Sequence, residues 1–547
     1  MNRVKKVLIL FFVTISFFSY GQNNQFEISK NLDIYATLMK NLSINYVDEI
    51  KAGELTEEAI DAMLKSLDPY TVYIPESEVE DFKFITTGEY GGIGALIQKR
   101  DDYVIISQPY KGFPADKAEL RAGDKIIAIN NKSMKGKETE DISNLMKGQP
   151  GTSFIITVER EGEKNSIDKT VTREKIQIAP VPYYGIVNGD IAYIKLRSFT
   201  QKSSQEVKKA FVELTEKHTL KGVILDLRDN GGGLLSEAVN IVNIFVPKGE
   251  VIVKTKGKLE EKNRDYITNK RVIDKNIPLT ILVNQHSASA SEIVAGAVQD
   301  LDRGVLIGKR TFGKGLVQNI IPISYNTKAK ITVAKYYIPS GRCIQEVDYS
   351  KKNGNGDFDK VADSLITLYH TKNGRKVYDG KGVLPDIDIE HEVVSRIAFT
   401  LFIEHHVFDF STKFFREHKE IASADEFEIT DEIYDDFKLF LQGRDFEYTT
   451  DTEEQLKKLK ESAEEEKYFA FIEEKFSQLE EELLKHKNND IETFKEEIKR
   501  YIKLEILVRY YYSVGAIEGS LNSDKDVLKA IETIYNKEKY NSILSKK

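Results

Sequence analysis

The sequence predicts a multidomain α/β protein: a helical N-terminal region, a small glycine-rich α/β module, a larger βα core and a helical C-terminal extension. Three observations carry that reading. Over 186–345, apolar runs such as GVILDL and LTILVN alternate with amphipathic ones such as SSQEVKKAFVELTE, the texture of parallel strands joined by helices. From Gly88 onward glycines and β-branched residues make short strands with turn-rich junctions. Beyond 391 there is no proline, and dense Glu/Lys runs carry Leu and Phe at helical spacing. At 547 residues the chain is too long for one core.

In chain order, Arg3, Lys5 and Lys6 precede the apolar run Val7–Tyr20 and then Gly21, the layout of a secretory signal peptide over 1–21. The run is shorter than the ~20 apolar residues of a membrane span, and a retained signal anchor is the rival reading. An exported protein of the periplasm or cell envelope is therefore expected. Residues 22–83 read as amphipathic helices, with Leu38, Met39, Leu42, Ile44 and Val47 near helical spacing and a stop at Asp68-Pro69.

Residues 84–172 follow as the compact module. EYGGIGALIQ enters a strand from a glycine-rich loop, PADKAEL and EDISNLMKG are short helices, and GTSFIITVER closes with a strand. Residues 173–390 form the βα core, whose active site belongs at the carboxyl ends of its strands. Residues 391–547 form the extension, read as a helical bundle with solvated charged faces. Phe469, Phe471, Ile472, Phe476 and Leu479 would give it one buried stripe, and its expected part is in assembly or access rather than chemistry.

Composition narrows the function. A net charge of −8 with no basic stripe gives no support for a nucleic-acid partner. The single cysteine, Cys343, excludes an internal disulfide. The eight histidines, five of them beyond 390, lack metal-ligand spacing, so neither metal nor cofactor is expected.

Chemistry concentrates in two segments. Ser287, Ser289 and Ser291 lie where the strand LTILVN turns into a helix, at the positive end of its dipole, with small Ala288 and Ala290 leaving room for a peptide. Ser289-x-x-Glu292 is equally a capping box, so this segment alone leaves Ser289 a helix cap or a nucleophile. The second segment is KRTFGKGLVQ, in which Gly313 and Gly315 flank Lys314. A free lysine, with a pKa of roughly 10.4, is no base at neutral pH. Desolvation disfavours the ammonium, and a neutral amine beside a serine hydroxyl can take its proton. A solvated loop lysine is the plain alternative. GKRTFGK also fits half of a phosphate-binding loop, but Gly315 stands where Ser or Thr should hold the metal ion and a strand follows instead of a helix. LDLRDNGGGLL adds a glycine turn whose amides can face an oxyanion, a weak signal alone.

Together SASASEI, QD, TFGKG.VQ and LDLRDNGGGLL resemble the carboxyl-terminal processing peptidases (tail-specific proteases), a Ser–Lys family, up to about 390. The resemblance implies a crotonase-like core with Ser289 as nucleophile, Lys314 as base and Gln318 orienting it. It implies a supporting role for Asp300 and an oxyanion held by the amides of Gly232 and Ala290. Gly231 stands where the family has proline, and Cys343 where it often has serine. Residues 88–172 resemble the family's PDZ domain, in which Gly92, Ile93, Gly94 and Ala95 would hold a substrate's terminal carboxylate while the peptide adds a strand. Substrates with free, apolar C-termini are implied, and homo-oligomers are left open. The rivals are a catalytically inactive PDZ adaptor and an acyl-CoA enzyme. The intact Ser289/Lys314/Gln318 set opposes the first; the export signal and PDZ module oppose the second.

Overall fold

The computed structural model describes residues 25–353 and 356–545. The predicted signal peptide lies outside them, and among the described residues no helix is long and apolar enough to cross a membrane. The chain divides into two compact units: residues up to Glu76 together with Gln318–Thr332, and Ser77–Val317 together with Val333 onward.

In the first unit, a helix through residue 45 and a second over Ala52–Lys65 end before the predicted stop. There Asp68 Oδ1 accepts from the amides of Tyr70 and Thr71, both at 2.8 Å, so the side chain replaces the next helical turn. The strand Val72–Ile74 pairs antiparallel with 328–330. The expected amphipathic face is mostly uncovered: Leu38, Ile44 and Val47 are exposed, Met39 and Leu42 half-buried.

The second unit holds the module, the core and the extension. In the module, Ala95–Arg100, Tyr103–Pro109, Lys125–Ile129, Ser153–Glu159 and Ile167–Thr172 form one antiparallel sheet in that spatial order. Val104, Ile106, Ile126, Ile156 and Val158 alternate inward to fill its core. The first strand lies at the sheet's edge, beside the helix Thr139–Met146. Residues 89–92 pair with 174–177, outside that sheet.

The core is a six-stranded sheet. Its order is Tyr183–Val187, Ile191–Lys195, Gly222–Asp226, Leu279–Val283, Val305–Gly308 and Ile387–Asp388, parallel except for the first pair. Parallel sheets bury both faces, which is why these strands read as unbroken apolar runs. One face (Ala192, Ile194, Val223, Leu225, Ile281, Val283) packs under the helices Ser203–Lys217, Leu235–Phe245 and Ala290–Asp300. The other (Ile191, Tyr193, Ile224, Leu282, Val305, Ile307) is covered by the last two helices of the chain, Lys525–Tyr535 and Lys537–Leu544, through Val527, Ala530, Ile534 and Tyr540. Tyr540 completes the joint, its hydroxyl taking the Leu279 amide at 2.9 Å and meeting the Leu279 carbonyl at 3.0 Å.

The extension is helical, as expected, and it is continuous with the core. Helices Arg396–Ile403, His406–Glu417, Asp431–Leu441 and Lys495–Ser520 enclose Phe410, Tyr434, Phe437, Ile498, Ile502 and Ile506. Between them the hairpin Asp451–Glu465/Phe469–Lys487 departs from the predicted stripe. Phe476 is buried and Phe469 and Ile472 half-buried, but Phe471 is 84% and Leu479 45% exposed. The helix packs mainly against Asp451–Glu465, too narrow a contact to bury five apolar positions.

Candidate active site

Leu279–Val283 delivers the chain to a tight turn at the carboxyl edge of the sheet, and Ala290–Asp300 leaves it. Within the turn the three serines separate. Ser287 is fully buried and its hydroxyl donates to the Leu227 carbonyl at 2.8 Å. Ser291 is fully buried and donates to the Asn230 carbonyl at 2.7 Å. Ser289 alone is partly open, and its backbone sits at φ +57°, ψ −111°. A non-glycine residue there stores roughly 1–3 kcal/mol of strain, a cost typical of sharp strand-to-helix turns that push a nucleophile forward.

The capping-box partner does more than cap. Glu292 is fully buried, and its Oε2 accepts the Ser289 amide at 2.8 Å. The same oxygen accepts the Lys314 amide at 2.9 Å, while Oε1 takes the Thr311 hydroxyl at 2.6 Å and the Gly313 amide at 2.7 Å. One carboxylate thus joins the backbone of Ser289 to the backbone of Lys314 within two hydrogen-bond lengths. Burial pushes its pKa up to about 7, against the pull of the Thr311, Lys314, Gly313 and Ser289 donors. Tyr336 makes a second joint, its hydroxyl donating to the Ser289 carbonyl at 3.1 Å and its amide to the Gly315 carbonyl at 2.9 Å. Sequence reading saw Glu292 only as a cap and passed over Tyr336; the long-range halves of both contacts leave no local signal.

The glycines around Lys314 are there for close approach. A Cβ at Gly313 would lie 2.7 Å from Glu346 Cβ, and one at Gly315 would lie 2.9 Å from the Gln345 amide. Gln345 Oε1 accepts the Gly315 amide at 2.7 Å. Asp300 acts at a remove. It ends the helix that Ser289 begins, so about three turns away. It is buried against Arg342 (2.9 Å) and the Ser340 amide (3.0 Å), and so anchors the segment that carries Gln345. Burial pushes the Asp300 carboxyl up and Arg342 pulls it back.

Gly232 meets the turn from the adjacent strand, at φ +100°. A Cβ there would lie 2.9 Å from both the Ala290 amide and Ser289 Cβ, so only glycine fits. Its own amide donates to Asn230 Oδ1 at 2.9 Å and is engaged in this conformation. The Ala290 amide, at the first helical position, has no intrahelical acceptor. Gln318 falls in the first unit, where its Nε2 donates to the Thr332 hydroxyl at 3.2 Å. His286, three residues before Ser289, is exposed, its ring beside the Gln285 side chain.

The module offers a second site. Gly92, Ile93, Ala95, Ile97, Met146 and Tyr110 line a cavity of about 300 Å³ between the edge strand and the helix Thr139–Met146. The carbonyls of Ile93 and Gly94 are taken by the amides of Ala115 and Tyr110, both at 2.8 Å, which fixes the glycine loop. Phe84 and Tyr90, from before the loop, add aromatic walls. Burial pushes the Tyr90 phenol up to about 12, with Tyr110 adding to it and the Gly94 amide opposing. Among the described residues no cluster of His, Cys, Asp or Glu could hold a metal.

Known proteins are similar to parts of this chain. Residues 190–350 match Peptidase family S41, 105–160 match a PDZ domain, and 397–534 match a domain described as "Probable PDZ-protease, C-terminal helical domain". The carboxy-terminal-processing protease of Bartonella bacilliformis is 36% identical over 332 residues, 60% of this chain and 76% of that one. A probable CtpA-like serine protease of Staphylococcus aureus is 35% identical over 350 residues, 63% of this chain and 68% of that one. Among solved structures, the photosystem II D1 C-terminal processing protease aligns at 28% identity and a TM-score of 0.36, over 66% of this chain and 88% of that chain.

Proposed function

Because the chain belongs to the PDZ-containing serine proteases of peptidase family S41, we propose that it is an exported endopeptidase that cuts proteins at or near their C-terminal tails with a Ser289–Lys314 dyad. The observation that carries this is the Glu292 carboxylate, which binds the amides of Ser289 and Lys314 at one oxygen and holds serine and lysine as one unit.

In the proposed reaction the neutral Lys314 amine takes the Ser289 Oγ proton as Oγ attacks the scissile carbonyl. The oxyanion is received by the Ala290 amide, joined by the Gly232 amide as the developing charge competes with Asn230 for it. Lys314 returns the proton to the leaving amine, and water hydrolyses the acyl-enzyme by the same route. The strained turn supports this reading over a plain cap, since a cap needs no positive φ. The module contributes tail capture: a free carboxylate on the loop at Gly92–Ala95, the peptide as an added strand beside Ala95–Arg100, and an apolar terminal side chain in the cavity. The apolar leader supports export to the periplasm or envelope.

The test is an unstructured peptide offered as its C-terminal acid and as its amide. Wild type should bind and cut the acid better, and Ser289→Ala and Lys314→Ala should each abolish turnover of both while remaining folded. Turnover by either variant would sink the dyad, and equal rates for acid and amide would remove the tail-reading role. An inactive adaptor would bind the acid and cut neither.

A further inference from the structure

The helix Lys495–Ser520 is broken at one residue, Tyr512, whose backbone adopts φ +60°, ψ −168°. That region is essentially reserved for glycine, so a tyrosine there is strained. The evident consequence of the break is where the side chain goes: the Tyr512 hydroxyl donates to Asp116 Oδ1 in the PDZ module at 2.7 Å, and the Lys111 ammonium lies 5.8 Å from its ring centre.

Asp116 is well placed to transmit that contact. Its other oxygen accepts the Gly112 amide at 2.7 Å, which closes the turn 112–116. On one side of the turn Tyr110 lines the tail cavity; on the other the Ala115 amide holds the Ile93 carbonyl. Phe113 packs so tightly beneath Gly94 that a Cβ on that glycine would come within 2.5 Å of Phe113 Cβ. The turn is therefore the floor of the glycine loop. A second clamp fixes the module's other side, with Arg100 Nη1 and Nη2 on the two Asp409 oxygens at 2.5 Å.

We propose that Tyr512 is a positioning residue for tail recognition: by seating its phenol on Asp116, the C-terminal helical domain holds the turn 110–116 that sets the carboxylate-binding loop. This rests on the reading that the loop takes free C-termini. The stored strain gives the kink a purpose, because a regular helix would carry Tyr512 away from Asp116. The chain beyond the kink runs on to the next helix, whose Asp524 and Asp526 bind Arg228 at 2.9 Å beside the Gly231–Gly233 turn, so these two helices in succession join the tail site to the protease core.

The test uses the full chain, with Tyr512→Phe removing the hydroxyl alone and Asp116→Ala removing its acceptor. Tyr512→Phe should weaken binding of a free-acid peptide about 5-fold, which is about 1 kcal/mol, and raise KM for a tailed substrate by a similar factor. The kcat for a short tail-less peptide should stay at the wild-type value. The double variant should be no worse than Asp116→Ala alone. A merely structural tyrosine would lower the unfolding temperature and leave the acid-peptide affinity unchanged, and that result overturns the proposal. If wild type itself fails to distinguish acid from amide, the tail-reading function falls first, so the two failures are distinguishable.

Discussion

Replacing Glu292 by Gln keeps the shape of the buried side chain and removes one acceptor oxygen. The glutamate receives four donors: Thr311 Oγ1 and the Gly313 amide on Oε1, and the Ser289 and Lys314 amides on Oε2. A glutamine carbonyl can keep only one pair. In the better orientation it keeps Ser289 and Lys314, and its NH2 turns to the other pair. The Thr311 hydroxyl can rotate to accept, but the Gly313 amide then faces a donor. One orphaned buried amide costs about 1–3 kcal/mol, roughly a 5- to 150-fold loss in kcat/KM where the loop moves to relieve it. Because Gly313 adjoins Lys314, relief by movement displaces the base. Where the loop holds still, the loss appears as a lower unfolding temperature instead. The assay is hydrolysis of a quenched, unstructured peptide with a free apolar C-terminus, with thermal unfolding measured on the same samples. The pH dependence is a second signature. Burial raises Glu292 from 4.5 to about 7, and only the carboxylate can take all four donors, so wild-type kcat/KM should rise with pH through about 7. The stability term runs the other way. A raised carboxyl stabilises the fold fully below about 4.5 and loses that stabilisation as pH rises through about 7, so the unfolding difference between wild type and Glu292→Gln should shift over this window. A variant within two-fold of wild-type kcat/KM, unchanged in stability at every pH, would refute the clamp.

Two further outcomes follow from the same geometry. Ser289→Gly removes the nucleophile and relieves the positive φ, so it should abolish turnover yet raise stability by about 1 kcal/mol in denaturant titrations; a less stable variant would show that the turn is not strained. Ile534→Ala, far from the serine in sequence, removes a side chain 2% exposed and packed on the sheet, and should cost about 2–5 kcal/mol of unfolding free energy; a loss below about 0.5 kcal/mol would mean those helices do not complete the core.

Much of the fold was legible because the strands and helices carry their own periodicity. GVILDL has no polar alternation, and that alone says that both faces of its strand are buried. What covers the second face was not legible. The covering residues, Val527 to Tyr540, lie some three hundred positions away. Likewise TFGKG and SASASE announce themselves as short motifs, but the carboxylate joining them is disguised as an ordinary helix cap. The hairpin stripe failed for a related reason: spacing reports that Phe471 and Phe476 share a helix, not that the partner helix reaches only one of them.

These facts change what the C-terminal extension is. Ending the chain near 392, the natural way to ask whether the extension is a passive tail, would uncover Tyr193, Ile224, Leu282 and Ile307 on a sheet built to be covered twice. It would also remove Asp524 and Asp526 from the half-buried Arg228, leaving its guanidinium on Asp226 alone. With two of its three carboxylate partners gone, the Arg228 side chain and the loop that carries it are no longer pinned. Arg228 lies in the loop that leads to Asn230 and Gly232, and Asn230 in turn holds Ser291 and Ala288 on either side of Ser289. Any loss of activity on truncation would therefore report a disturbed core before it reported access or assembly. Side chains at the hairpin tip and at Tyr512 lie away from that face, and they are where access and recognition can be probed without dismantling the enzyme.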